Sequence, residues 1–334
     1  MKISIIIPSY NQGRYLEETL RSVIDQKYPA LELIVIDGGS TDNSTDIIKK
    51  YEKHISYWVS EKDKGQSDAI NKGFRRATGE IITWLCSDDL LMPGSLHKVA
   101  DHFSSLPDEA GLIHGGVVVF KENKDVTTDF GYLAPSLERY ISGMAFSQPS
   151  AFFKKKYYDR AGGRVSEDLH YGMDHDLFCR MALVCRFYPV NDVLARYRLH
   201  DDSKSVTRQN EFIIDWCKTF VNFCRNAGWE KEYEQLCAVS PFREAMNYFH
   251  PYGFTFSLPG NTDRKKTLFY HLCYQLRALY AGGNIKAAKK IAHYLKDHYP
   301  EPWLDNEKLV PHIRSRLKWP AFMLLLIRKI KGAD

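Results

Sequence analysis

The chain has 334 residues, of which 44% are hydrophobic and 26% charged, with 46 Lys and Arg against 41 Asp and Glu. These proportions suit a folded chain of about two domains and exclude disordered, collagen-like and small disulfide-stapled proteins. A net charge of +5 admits phosphate-bearing ligands or an anionic membrane surface, but with no concentrated basic cluster it argues against nucleic acid. The seven cysteines are odd in number and contain no C-x-x-C pair, so they read as reduced thiols in a cytoplasmic compartment.

The first 120 residues alternate apolar runs with helical patterns. Ile3 to Pro8 reads as a buried strand; the run is too short for a signal-peptide core. Residues 14–25 read as a helix with Tyr15, Leu16, Leu20, Val23 and Ile24 on one face. Leu33 to Asp37 is a second strand, and Thr41 or Asp42 can cap a helix reaching Tyr51. Tyr57 to Ser60, Ile81 to Cys86 and Leu112 to Phe120 follow as strands, with helices over 66–77 and 94–104. Alternation of this kind, with wholly apolar strands, predicts an α/β fold with a mainly parallel central sheet.

Beyond residue 130 the pattern loosens. Strand-like runs at Ala151 to Lys154 and Val193 to Arg198 bracket a helical stretch starting near Asp174. From Glu211 onward the reading is helical, with breaks at Gly228, Pro241, Pro259 and Gly282-Gly283. A boundary near residue 208 separates an α/β domain (1–208) from a helical one (209–334), and 267–299 reads as a packed helical hairpin.

Ligands of an open parallel sheet bind at the carboxyl ends of its strands. Four such ends here are polar: Pro8-Ser9-Tyr10-Asn11, Asp37 to Asp42, Asp63 to Asp68, and Ser87-Asp88-Asp89. Adjacent carboxylates such as Asp88 and Asp89 repel unless a cation neutralises them, and oxygen ligands suit Mg²⁺ or Mn²⁺. The bland reading is a capping pair before Pro93-Gly94. No G-x-G-x-x-G follows the first strand and no P-loop occurs, which argues against dinucleotide oxidoreductases and P-loop NTPases.

The string SIIIPSYNQGRYLEETLRSVIDQKYPALELIVIDGGSTDNSTDII resembles the opening of the family 2 glycosyltransferases, which have the GT-A fold. WVSEKDKGQSDAINKGFRRATGEIITWLCSDD resembles the continuation to the family's acidic metal motif, YGMDHDLFCRMA its general-base segment, and RYRLHDDSKS its late histidine loop. The resemblance covers roughly residues 3–205. It implies that Pro8, Tyr10 and Asn11 line the nucleotide pocket, that Asp37 accepts from the base edge, and that Asp68 lies near the ribose and phosphates. It further implies that Asp88 and Asp89 contact the ribose and hold the metal, that Asp174 is the base, and that His200 closes over the diphosphate beside the metal. Many relatives carry an acid two residues before Asp88, where this chain has Cys86, so Asp89 is expected to supply the metal bond from a solvent-facing strand end.

The expected activity is inverting, metal-dependent transfer from a nucleotide-diphosphate sugar, with a UDP-sugar as donor and Mn²⁺ or Mg²⁺ as cofactor. The acceptor is a glycan or lipid-linked hydroxyl in cell-surface polysaccharide assembly. One base without a second nucleophilic carboxylate implies direct displacement with inversion. Asp176 competes with Asp174 for that role. Phe146, Gln148 and Pro149 can edge the acceptor site, and Arg180 and Arg198 can meet phosphate or serve as ion-pair partners. Rival readings are a sugar nucleotidyltransferase, which lacks its glycine- and lysine-rich segment here, and a non-catalytic scaffold. Finally, Trp319 to Ile327 is apolar and flanked by Arg314, Arg316, Lys318, Arg328, Lys329 and Lys331, so 314–331 is expected to touch a membrane without crossing it.

Overall fold

A computed structural model describes residues 1–122, 124–133, 135–201, 203–204, 208–320 and 323–324. The chain divides into two compact units. The first comprises Met1–Pro135, Met144–Val206 and Gly253–Leu258; the second comprises Ser136–Gly143, Thr207–Tyr252 and Pro259–Asp334.

The first unit opens with β1 (Ile3–Ser9), α1 (Gly13–Ile24), β2 (Leu31–Asp37), α2 (Ser44–Lys50), β3 (Tyr57–Ser60), α3 (Gln66–Arg76) and β4 (Ile81–Trp84). Every residue of β1 is buried, as its run of β-branched side chains requires of a central strand. It lies between β2 and β4, parallel to both, and β3 extends the parallel set beyond β2. On one face Leu16, Leu20 and Val23 of α1 pack on Ile3, Ile5, Ile7, Leu33 and Val35. Each such side chain contributes about 1.5–3 kcal/mol by leaving water. On the other face α3 comes close because residue 73 is glycine: a Cβ there would lie 2.4 Å from Ile6 Cγ2.

Next come β5 (Leu90–Leu91), α4 (Ser95–Ser105), β6 (Ala110–Lys121) and β7 (Lys124–Asp129), then α5 (Leu137–Ser142), which belongs to the second unit. The first unit ends with β8 (Ala151–Lys154), α6 (Lys155–Arg160), α7 (Met173–Ala182) and β9 (Arg186–Leu199). The nine-stranded sheet runs β3-β2-β1-β4-β8-β6-β9-β5, with β7 beside β6. The α/β architecture expected from the sequence is therefore present, parallel through its first four strands and mixed beyond them. There β8 is antiparallel to β4 and β6, whereas β6 and β9 are parallel. Two expectations change. The fourth strand stops at Trp84 and not at Cys86, because residues 85–89 leave the sheet to form a loop. The last strand starts at Arg186, seven residues before Val193; Pro189 interrupts its pattern, yet it pairs with β6 through register shifts.

The second unit contains α5, α8 (Gln209–Asn226), α9 (Glu230–Val239), α10 (Arg264–Ala281), α11 (Ile285–His298), α12 (Glu301–Asp305) and α13 (Val310–Leu317). The α10–α11 hairpin turns at Gly283, whose φ of 77° favours glycine, and Asn284 caps α11 by accepting from the Ala287 N–H. In its core the His271 ring stacks on Phe220 at 4.1 Å, and Phe269 packs against Tyr299 and Trp303. Arg139 of α5 forms a buried fork on Glu307, donating at 2.9 and 2.6 Å.

Among the described residues no helix is long and apolar enough to cross a membrane. Of the C-terminal stretch expected to touch a membrane, residues 321–322 and 325–331 lie outside the described residues. Trp319 and Met323, inside them, are 49% and 38% exposed.

Candidate functional site

Parallel register brings Ser9, Asp37 and Ser60 side by side at the carboxyl ends of β1, β2 and β3. Asn11 adopts φ 51°, and its side-chain oxygen accepts from the Thr41 N–H at 2.8 Å while its own N–H donates to Ser40 Oγ at 2.8 Å. Asp37 is fully buried. Its Oδ2 accepts from Gly39 N, Ser40 N and Ser60 Oγ at 3.1, 2.9 and 2.6 Å, and its Oδ1 from Ser40 Oγ at 2.5 Å. The resemblance puts Asp37 against the base edge; in the structure four donors of its own loop and of β3 fix its carboxylate at that edge. Pro8 is buried within β1, leaving Tyr10, 59% exposed, as the open side chain of this edge. Asp68, in the first turn of α3, accepts from Lys64 N at 3.1 Å and lies 3.5 Å from Lys72 Nζ.

The loop after β4 carries Cys86, Asp88 and Asp89, whose ligand atoms all lie within 4.8 Å of one another. Thr19 of α1 braces the loop, its hydroxyl 2.9 Å from the carbonyls of both Ser87 and Asp89. From the far side comes the end of β9. Arg198 donates its backbone N–H to Asp89 Oδ1 at 2.9 Å and its Nε–H to the Asp88 carbonyl at 2.8 Å, while its guanidinium pairs with Glu18 at 2.6 Å. Two residues on, His200 Nε2 lies 3.0 Å from Asp88 Oδ2. The Tyr15 ring packs against both, 4.8 Å from the His200 ring and 4.9 Å from the Arg198 guanidinium. Asp89 is 1% exposed, not solvent-facing as expected, because β9 covers it. Burial, and then the neighbouring Asp88, push its carboxyl well above the usual carboxylate range. Burial, Asp89 and Asp88 likewise push the Cys86 thiol up.

Asp174 occupies the first turn of α7. Its charge is felt at Cys86 and at Lys204, which places it in the electrostatic neighbourhood of the acidic loop. Asp176, two residues on, is turned into the protein. It pairs with Arg180 at 2.8 Å, and Arg180 also donates to the carbonyls of Ala161 and Arg164. This pair occupies Asp176 and Arg180 structurally.

Lys204 and Gln66 were not singled out from the sequence, although both stand in the motif strings. Gln66 donates from Nε2 to Cys86 Sγ at 3.2 Å and accepts from Lys204 Nζ at 3.0 Å, so it bridges the loop to a cation. Crowding around the ammonium pulls the Lys204 pKa down, against Cys86, Asp88 and Asp174, which raise it. Nothing in a lone Gln announces such a bridge. Phe146, expected at the acceptor edge, is core: it stacks on His114 at 4.2 Å. Gln148 is tied to the Trp84 carbonyl at 2.8 Å.

The donor set fits a divalent cation. Two carboxylates at close quarters, one of them raised by burial and by its neighbour, leave an electrostatic deficit that a cation relieves. Asp88 and Asp89 supply hard oxygens and His200 an imidazole, whereas the Cys86 thiol is a poor ligand for Mg²⁺.

Residues 4–161 match the model of the family described as glycosyl transferase family 2. An uncharacterised glycosyltransferase of Rickettsia typhi is 30% identical over 221 residues, which span 63% of this chain and 67% of the relative. Some other relatives are matched over only 36% of their length. Among solved structures, TarS of S. aureus in complex with UDP-GlcNAc has a TM-score of 0.60 at 16% identity, covering 94% of this chain and 86% of that one. The mannosyltransferase PcManGT of Pyrobaculum calidifontis, in complex with GDP-Man and Mn²⁺, has a TM-score of 0.52 at 18% identity, covering 100% of this chain and 88% of that one. At these identities the likeness to the two structures is one of fold: a GT-A-type α/β sheet with a helical C-terminal region.

Proposed function

The chain belongs to glycosyl transferase family 2, and from that premise we propose that it transfers a sugar, with inversion, from a UDP-sugar to a hydroxyl of a glycan or lipid-linked acceptor. The observation that carries this reading is the meeting of the Cys86–Asp89 loop with His200 and Arg198 at the carboxyl edge of the sheet. Asp88 and Asp89, with His200, would hold Mn²⁺ or Mg²⁺; when bound, such an ion stabilises the charge developing on the departing nucleoside diphosphate. Arg198 and Thr19 keep the two carboxylates in place. Tyr10 offers the nucleoside an exposed ring, and Asp68 stands at the start of α3 for the ribose and phosphates. Asp174 takes the proton of the acceptor hydroxyl, a role for which Asp176 is disqualified by its bond to Arg180. With one base and no second nucleophilic carboxylate, attack is direct and the anomeric configuration inverts.

In this reading residues 1–208 bind the donor and carry the chemistry. Work on a lipid-linked acceptor would take place on the cytoplasmic face of a membrane, with 314–331 resting on the lipid; the exposed Trp319 ring supports that contact. The test of the function is release of free nucleoside diphosphate from a panel of UDP-, GDP- and TDP-sugars, with Mn²⁺ and with excess chelator. Hydrolysis or transfer confined to UDP-sugars and lost in chelator is the expected result. Full turnover in chelator removes the metal from the mechanism, and no release from any donor removes the reading.

A further inference from the structure

α11 of the second unit has two unlike faces. Ala288, Ile291 and Leu295 are buried, whereas Lys286, Lys290 and Lys296 are exposed and Lys289 is half-buried. At 3.6 residues per turn the four lysines fall within an arc of about 120° opposite the buried set, and Asp297 is the one acid of the helix. Among the described residues none of the four pairs with a carboxylate. Lys289 and Lys290 donate to the carbonyls of Trp319 and Ala238, at 3.0 and 2.9 Å, and Lys286 and Lys296 bond no protein group. Arg314 of α13 shows the contrast, since Glu301 lies 2.8 Å from its guanidinium. The bond from Lys289 sets the turn after α13 beside this face, so that Lys318 and the exposed Trp319 border the lysines.

We propose that this face of α11 docks on an anionic bilayer surface, its lysines meeting headgroup phosphates while Trp319 settles at headgroup depth. The inference rests on the reading of a membrane-borne acceptor and adds to it a second surface, on a helix outside the 314–331 stretch. Four ammonium groups on one side of one helix repel one another and gain no ion pair from the protein. Lys286 and Lys296 are ten residues apart, about 15 Å along the axis, so no single small anion meets them all. A surface whose charge is spread over many headgroups does. The neighbouring Trp319 decides between lipid and a soluble polyanion, because an exposed indole gains from the boundary of headgroups and acyl chains and not from water.

Cosedimentation with vesicles of phosphatidylcholine, alone or mixed with phosphatidylglycerol, tests this without any need for donor or acceptor. The wild-type chain should bind only the mixed vesicles, and less as salt rises. Lys286→Gln combined with Lys296→Gln removes two charges that bond nothing in the protein. Thermal unfolding should be unchanged while the partition coefficient falls about 20- to 30-fold, that is about fivefold, or about 1 kcal/mol, per lysine. Reversing the same two charges to Glu should abolish binding. Wild-type partitioning by both double variants overturns the role of α11 and leaves the lipid contact of 314–331 standing. A wild-type chain that binds neither kind of vesicle overturns both, and leaves sugar transfer to its own release assay. Inorganic polyphosphate that displaces the wild type at a phosphate concentration equal to that of the lipid would assign the face to soluble polyanions and overturn the membrane as its partner.

Discussion

His200 Nε2 lies 3.0 Å from Asp88 Oδ2, although 112 residues separate the two in the chain. The contact is made just past the end of β9, whose Arg198 has already bonded Asp89 and the Asp88 carbonyl two residues earlier. One strand end therefore clamps the acidic loop through a backbone N–H, a guanidinium and an imidazole. The two carboxylates are held at fixed positions despite their mutual repulsion.

That clamp decides how Asp89 is best probed. Asp89→Asn keeps an oxygen for the Arg198 N–H and removes the charge, so the fold should persist while transfer falls by about 10²–10³-fold. Asp89→Ala also strands the buried N–H of Arg198, at a further cost of about 1–3 kcal/mol in stability. Rate and thermal unfolding measured on both variants separate the two effects. Near-normal transfer by Asp89→Asn in excess chelator would sink the metal assignment.

Asp174 and Asp176 give opposite signatures. Asp174→Asn should leave unfolding and donor binding unchanged while transfer drops about 10²–10⁴-fold, since only the proton acceptor is lost. Asp176→Asn breaks a buried ion pair with Arg180, in which both side chains are under 10% exposed (6% and 8%), and should cost about 3–5 kcal/mol of stability. The protein that stays folded should keep its turnover. A fully active Asp174→Asn with an inactive, stably folded Asp176→Asn would exchange the roles.

At the opposite end of β2, Glu32 contributes to the pH dependence of stability. Burial alone would raise its pKa, but hydrogen bonds from Lys2, Ser4 and Thr78 outweigh burial and hold it down at about 2 against an ordinary 4.5. The unfolded chain therefore takes up this proton first. The stabilisation is complete above pH 4.5 and is lost as pH falls from there through about 2, for a total of about 3 kcal/mol. Denaturant unfolding at pH 5 and pH 3 should show a smaller loss for Glu32→Gln than for wild type. Equal losses would mean that other carboxyls dominate acid unfolding.

What the sequence discloses follows the range of the interactions. The first four strands were legible because a run such as Ile3 to Ile7 can only be a buried strand, and their polar ends marked the edge where a ligand sits. β5 has two residues and β7 is polar but for an exposed Val126, so neither carries a hydrophobic period. α5 joins the second unit through partners far along the chain, among them Glu307, 168 residues from Arg139. The acidic pair was visible as a string, but its burial under β9 was not, and a lone Gly38 says nothing of the Asp63 carboxylate packed against it. That four donors hold the Asp37 carboxylate is likewise a property of the folded loop.

The proposed contact of the C-terminal stretch with lipid is tested by two side chains that can be changed without touching the core. Trp319 and Met323 are 49% and 38% exposed, and they follow α13, whose Val310, Ile313 and Leu317 are buried. An aromatic ring beside Arg316 and Lys318 suits the headgroup layer, where each cation near an anionic surface adds about 1 kcal/mol. Flotation with vesicles rich in anionic lipid, at low salt, should carry the wild-type chain upward. The double variant Trp319→Glu, Met323→Glu should remain at the bottom with unchanged thermal unfolding, because it replaces exposed apolar groups with charges that the lipid repels. Raising the salt should release the wild type, since screening shortens the reach of the cations. A wild-type chain that stays at the bottom at low salt ends the membrane proposal, and a double variant that floats as well assigns any lipid contact to another surface.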